Sequence, residues 1–188
     1  LGVVAAVIPF NFPCDLFDQK VAPALLSGNS VIVKPSTDNP LTLCMLTALL
    51  GEAGVTPGAV QIVTGRGSVV GHELTSNPDV DLVTLTGSTE VGIETAEVCA
   101  KTLTHTALEL GGNDAFIVLA DADIDLATDE LIWGRMYNTG QVCCASKRFL
   151  VHEDVVEEFT KKAVEKIGKL KRGMPADDDT QIGCLISE

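Results

Sequence analysis

Val3-Val4-Ala5-Ala6-Val7-Ile8 and Val31-Ile32-Val33-Lys34, joined through a helical stretch from Asp15 to Leu26 that Gly28 closes, decide the fold of this chain. Both runs are short, rich in β-branched residues and apolar at consecutive positions, which reads as strands covered on both faces. Strands of that kind belong to parallel sheets, whose neighbours are linked by crossover helices. The unit repeats outward. A helix from Pro40 to Ala53, with Asn39 as its cap and Gly54 past its end, leads into strand Val60 to Val63. A helix near Ser68 to Thr75, strand Leu82 to Leu85, a helix from Ser88 to Ala100 and strand Ala107 to Leu110 complete five strands alternating with four helices. The pattern predicts an α/β fold, Rossmann-like: a five-stranded parallel sheet with helices on both faces and ligands at the carboxyl ends of its strands.

After Gly111-Gly112 the alternation restarts with strand Phe116 to Leu119 and a helix from Ile124 to Tyr137, then strand Phe149 to His152 and a helix from Asp154 to Leu170. On the last helix Val155, Phe159, Ala163 and Ile167 recur every four residues and face a core, while Lys161, Lys162 and Glu165 face water. Two strands and two helices are too few to close a sheet, so residues 111–188 read as the incomplete start of a second α/β domain after a first of residues 1–110. Leu1 leads directly into a strand, and the chain reads as a piece of a longer protein.

Composition narrows the function classes. The 188 residues are 46% hydrophobic but only 4% aromatic, which predicts an aliphatic core. A formal charge of -13 disfavours a phosphate-backbone partner, so nucleic acid binding is not expected. No apolar run approaches the roughly 20 residues that span a bilayer, and no signal-like leader is present; a cytoplasmic protein without a membrane partner is expected. The six cysteines show neither a CxxC pair nor a nearby histidine pattern, so no metal site or disulfide framework is expected and most read as buried small apolar residues.

The chemistry-bearing residues fall at strand ends. Asn11, in Pro9-Phe10-Asn11-Phe12-Pro13, is a turn residue or a rigid donor aimed into a cleft. Lys34 is a solvated cation or a ligand-facing one on the same edge. Thr86-Gly87-Ser88 joins a strand to a helix, where Ser88 is a cap or the free amides hold a pyrophosphate; no GxGxxG accompanies it. Glu109, in apolar company, is an ion-pair or capping partner, or a base whose burial would raise its pKa. The doublet Cys143-Cys144 sits on a small-residue turn beyond a helix, where backbone amides favour a nucleophilic thiol. No motif supplies a histidine partner for that thiol.

Pro-Phe-Asn-Phe-Pro, Val-Lys-Pro-Ser, Thr-Gly-Ser-Thr-Glu-Val-Gly, Glu-Leu-Gly-Gly and Asn-Thr-Gly-Gln-Val-Cys follow one another in an order and at a spacing that resemble the aldehyde dehydrogenase superfamily over nearly the whole chain. The resemblance implies an NAD(P)-binding domain in residues 1–110 and the opening of a catalytic domain in 111–188. It implies oxidation of an aldehyde to a carboxylic acid, with Cys143 as nucleophile, Asn11 as oxyanion donor and Glu109 as the base that activates water. It implies NAD or NADP as cofactor, with Lys34 at the adenosine ribose, Ser88 at the pyrophosphate, Val91 in the adenine slot and Phe10 lining the cleft. Ile8, Ser36, Thr37, Gly67, Gly87, Leu110 and Gly111 complete the implied cofactor contacts. Thr37 stands where NAD-preferring members often carry a glutamate, which leaves NADP open, and Ser68 replaces a proline common beside the adenine. A homo-oligomer, dimer or tetramer, is implied for the parent protein. A cofactor-binding chain without activity and a coenzyme A-acylating member are the alternatives, and Glu109 argues against the second.

Overall fold

The structure is a computed structural model and describes residues 2–187. It divides into two compact units, one ending at Gly111 and the other beginning at Gly112. The first unit runs β1 (Val3–Val7), α1 (Pro13–Leu26), β2 (Ser30–Lys34), α2 (Leu41–Glu52), β3 (Val60–Ile62), α3 (His72–Ser76), β4 (Leu82–Thr86), α4 (Thr89–Ala100) and β5 (His105–Glu109). Its five strands lie in the order β3-β2-β1-β4-β5, every neighbouring pair parallel. The chain winds from β1 outward through β2 to β3, then crosses back to place β4 on the other side of β1. That reversal makes the β1/β4 boundary a topological switch point.

Side-chain alternation along the central strands sorts the core into two layers. Val4, Ala6 and Ile8, with Val31 and Val33 of β2, pack against Phe17, Val21 and Ala24 of α1 and Leu43 of α2. Ala5, Val83 and Leu85 point to the opposite face, among Leu74 of α3 and Cys99 of α4. Val31, Val33 and Leu43 are fully buried, and each such side chain stabilises the fold by about 1.5–3 kcal/mol. Pro13 stands at the start of α1, where its missing N–H costs nothing, and Gly28 at φ +80° turns the chain away after it.

Three local expectations change. Asn39 does not cap α2: the helix begins at Leu41, no side chain caps it, and Asn39 Nδ2 instead donates to the Phe10 carbonyl at 2.8 Å. The helix expected at Ser68 begins as a wide π-type turn over Gly67–Gly71, and only His72–Ser76 is α-helical. Glycines at 67 and 71 weaken α propensity there, and Pro78 drives Asn77 to an extended conformation that ends the helix. The strand expected at Ala107 starts at His105 and is mostly exposed, because β5 is an edge strand carrying His105 and Thr106.

The second unit holds β6 (Asp114–Val118), α5 (Ile124–Met136), β7 (Ser146–Val151) and α6 (Val156–Gly168). β6 and β7 pair in parallel, joined through α5. Asp123 caps α5 by accepting from the Asp125 and Leu126 amides. Val118, Ile124, Leu131, Phe159 and Ala163 form its core, bordered by Phe116 and Phe149 with ring centroids 5.5 Å apart. The expected stripe on α6 is met by Phe159 and Ala163, whereas Ile167 is exposed at the helix end.

Candidate active site

Parallel register places four of the expected site residues along one edge of the first unit. Val7 of β1 pairs with Lys34 of β2 and with Leu85 of β4, and Thr86 pairs with Glu109 of β5. Asn11 follows β1, Lys34 ends β2, Ser88 follows β4 and Glu109 ends β5, so the carboxyl ends of four adjacent strands carry them.

A pocket of about 380 Å³ opens at this edge, lined by Val7, Lys34, Gly67, Ser68, His72, Leu85 and Val91 among others. Its size lies at the small end of the range of about 300–1,000 Å³ for small-molecule sites. Lys34 is buried and donates through Nζ to the Pro35 carbonyl at 2.9 Å. Burial lowers its pKa from the ordinary lysine value. Thr37 Oγ1 donates to the Gly65 carbonyl, tying the loop after β2 to the one that leads into Gly67. Ser36 is engaged by Asp38, whose amide donates to Ser36 Oγ at 3.3 Å.

The start of α4 gathers a second group. Ser88 caps the helix, its hydroxyl accepting from the Val91 amide at 3.3 Å, and the Gly87 amide donates to the Glu109 carbonyl at 3.0 Å. A side chain on Gly92 would collide with Leu110 Cδ2, and one on Gly111 would press on Thr89 Oγ1 at 3.3 Å. Leu110 and Gly111 therefore lie against the first turns of α4, beside Gly87 and Ser88. Ile8 has its side chain in the core and leaves only its carbonyl for a ligand. Glu109 is exposed rather than buried, because β5 is the edge strand.

In the second unit, Tyr137–Gly140 forms a 3-10 turn in which Asn138 (φ 48°), Thr139 (φ 59°) and Gly140 (φ 78°) are left-handed in succession. Left-handed backbone costs an L-residue roughly 1–2 kcal/mol, and it is least tolerated at a β-branched one. Such strain persists where the surroundings over-determine it. Here Gln141 Nε2 donates to the Asn138 and Cys184 carbonyls, and Gln141 Oε1 accepts from the Ile186 amide at 3.0 Å. The Ala145 amide then closes a tight turn on the Val142 carbonyl at 3.2 Å, with Cys143 and Cys144 as its exposed central residues.

Two contacts fix the Cys143 peptide. Lys147 Nζ donates to the Gly112 carbonyl at 2.5 Å and to the Cys143 carbonyl at 3.3 Å. A Cβ on Gly112 would stand 2.5 Å from the Cys143 carbonyl oxygen. Because the obstructing atom is backbone, Gly112→Ala is expected to displace the turn and destabilise the unit by about 1–3 kcal/mol. A denaturant midpoint equal to that of the parent would show that the approach is not tight.

The cysteines do not follow the expectation of burial. All six are free; only Cys99 is fully buried, donating to the Thr75 carbonyl, while Cys14 at the start of α1, Cys143 and Cys144 in a turn and Cys184 in irregular chain are exposed. Among the described residues no cluster of histidine, cysteine and carboxylate could hold a metal, and no helix is long and apolar enough to cross a membrane.

The family model described as the aldehyde dehydrogenase family matches residues 1–188. The chain belongs to the aldehyde dehydrogenase family. A D-glyceraldehyde dehydrogenase (NADP(+)) of Picrophilus torridus is 41% identical over 187 residues, covering 100% of this chain and 38% of that protein. The succinate-semialdehyde dehydrogenase [NADP(+)] of Escherichia coli is 40% identical over 188 residues, covering 100% of this chain and 39% of that protein. The structure of a betaine aldehyde dehydrogenase from Staphylococcus aureus in complex with NAD+ superposes with a TM-score of 0.96 at 38% identity, covering 99% of this chain and 37% of that one. The chain thus spans about two fifths of the length of these relatives.

In this aldehyde dehydrogenase chain the structure adds residues that motif reading passed over. His72, Thr75, Glu94 and Thr95 line the pocket beside Val91. Val91, Glu94 and Thr95 stand three and four residues apart on one face of α4, a spacing visible in the sequence. Lys20 of α1 is buried beneath the sheet and donates to Thr84 Oγ1 at 3.1 Å. Burial lowers its pKa, and the negative field of Glu109 partly offsets that shift. Thr86 Oγ1 is buried with no hydrogen-bond partner among the described residues.

Proposed function

We propose that the chain supplies the cofactor-binding core and the nucleophile turn of an NAD(P)-dependent aldehyde dehydrogenase, residues 1–110 serving the cofactor and 111–188 opening the catalytic domain. The reading is carried by the carboxyl edge of the sheet, where Asn11, Lys34, Ser88 and Glu109 follow four adjacent strands across a switch point. Relatives named for NADP(+) and a structural neighbour holding NAD+ support it. The pocket with Lys34, Gly67 and Val91 suits an adenosine, and the amides at the start of α4 beside Gly87 and Ser88 suit a pyrophosphate. The cofactor is NAD or NADP. When bound, it supplies the hydride acceptor.

By the family resemblance, the Cys143 thiolate bonds to the aldehyde carbon, and the Asn11 amide with the Cys143 N–H holds the oxygen that takes the charge. Departure of hydride from the thiohemiacetal leaves a thioester on Cys143. Glu109 takes a proton from water as its oxygen attacks that thioester, the C–S bond breaks, and the thiolate leaves as the acid is released. A cytoplasmic homo-oligomer, dimer or tetramer, is the setting this reading implies.

The test is an aldehyde panel assayed with NAD and with NADP, each with and without coenzyme A. Reduced cofactor and free carboxylate, independent of coenzyme A, are expected. Acyl-coenzyme A as product would move the protein to the acylating branch. Cofactor binding with no reduced cofactor from any aldehyde would make it a binding protein.

A further inference from the structure

We infer that Asn39 is a positioning residue for the oxyanion donor: its amide clamps the peptide that leads into Asn11. The inference rests on the role proposed for Asn11. Asn39 Nδ2 donates to the Phe10 carbonyl at 2.8 Å across the gap between the loop after β2 and the loop after β1. The Phe10 carbonyl lies in the same peptide plane as the Asn11 N–H. Holding that oxygen fixes the plane from which the Asn11 backbone starts, and hence where its side chain is carried. The Pro9-Phe10-Asn11 stretch has left β1 at Val7, so it lacks the ladder that steadies a strand interior.

Stability accounts for Asn39 only in part. Its Oδ1 is buried with no hydrogen-bond partner among the described residues. A buried, unpartnered polar atom opposes folding by about as much as one ordinary hydrogen bond supports it. Within Asn39 the hydrogen bond and the unpartnered atom therefore largely offset each other, while an apolar side chain would leave the Phe10 carbonyl without this donor. The capping role that its place before Pro40 suggests is not taken either, since no side chain caps α2. What remains distinctive to asparagine is a donor on a short, stiff stem that reaches the Phe10 carbonyl.

The prediction is a selective loss of turnover. In the full-length gene product, Asn39→Leu is expected to lower kcat at least tenfold, since small misplacements of an oxyanion donor are costly. KM for aldehyde and cofactor should stay within about threefold, because the substitution touches neither ligand, and the unfolding midpoint should fall by no more than the loss of one hydrogen bond produces. A double-mutant cycle with Asn11→Ala reads the route of the effect. If Asn39 acts through Asn11, adding Asn39→Leu to Asn11→Ala costs little more. Losses that multiply, or an Asn39→Leu enzyme with parental kcat beside an impaired Asn11→Ala, would overturn the inference and leave the role of Asn11 standing. Parental kcat in Asn11→Ala would overturn both. Should Asn39→Leu fail to fold, Asn39→Ser, which is too short to reach the carbonyl, enters the same cycle.

Discussion

Cys143→Ser is expected to lower aldehyde oxidation at least about 10³-fold, as loss of a nucleophile does in other covalent enzymes, while Cys144→Ser keeps most of it. Both thiols occupy central positions of the same turn and both are exposed, so accessibility does not separate them. Place in the motif does: Cys143 is the second residue after Gln141, where the family resemblance puts the nucleophile. The Cys143 carbonyl, in the peptide that joins the two cysteines, accepts from Lys147 and is met closely by Gly112, which leaves the turn little freedom to swing. The left-handed run Asn138–Gly140, pinned by Gln141, feeds the chain into the turn in a fixed direction. A nucleophile benefits from such constraint, because holding it in a near-attack geometry can remove about 7–11 kcal/mol of barrier. Steady-state kcat for the two serine variants is the measurement, joined to mass spectrometry of a quenched reaction to locate the acyl group. Equal losses, or acyl label on Cys144, would sink the assignment.

The sheet was legible because its signals are local and strong. Runs such as Val3–Ile8 and Val31–Lys34 are apolar on both faces, and glycines such as Gly28 and Gly54 mark where helices stop. Boundaries were less legible where long-range contacts decide them. Asn39 has the residue type and place of a helix cap, but its amide is taken by a carbonyl 29 positions earlier in sequence. The turn at Gly67–Gly71 departs from an α-helix because two glycines remove the usual preference. Exposure of Glu109 follows from β5 being the outer strand, a fact of sheet order that apolar neighbours in sequence do not report. Site residues with a motif were readable one by one. Those without one, such as Lys20 and His72, emerge only when helices α1 and α3 are laid on the sheet.

Glu109→Gln should separate the two halves of the proposed reaction. Forming the thioester requires the thiol, the oxyanion donors and the hydride acceptor, whereas hydrolysing it requires a base for water. Glutamine keeps the shape of glutamate but cannot take a proton, so steady-state turnover is expected to fall roughly 10²–10⁴-fold. The first turnover should survive as a burst of reduced cofactor close to one equivalent of enzyme. The end of β5 is well held, with Thr86 paired to Glu109 and the Gly87 amide donating to the Glu109 carbonyl. The substitution therefore changes chemistry more than backbone. An added nucleophile that needs no base, such as hydroxylamine, should cleave the accumulated thioester and restore much of the turnover. Loss of the burst together with turnover would assign Glu109 to thioester formation instead. Parental turnover in Glu109→Gln would remove it from the reaction and reopen coenzyme A as the acyl acceptor, since that branch needs no base to activate water.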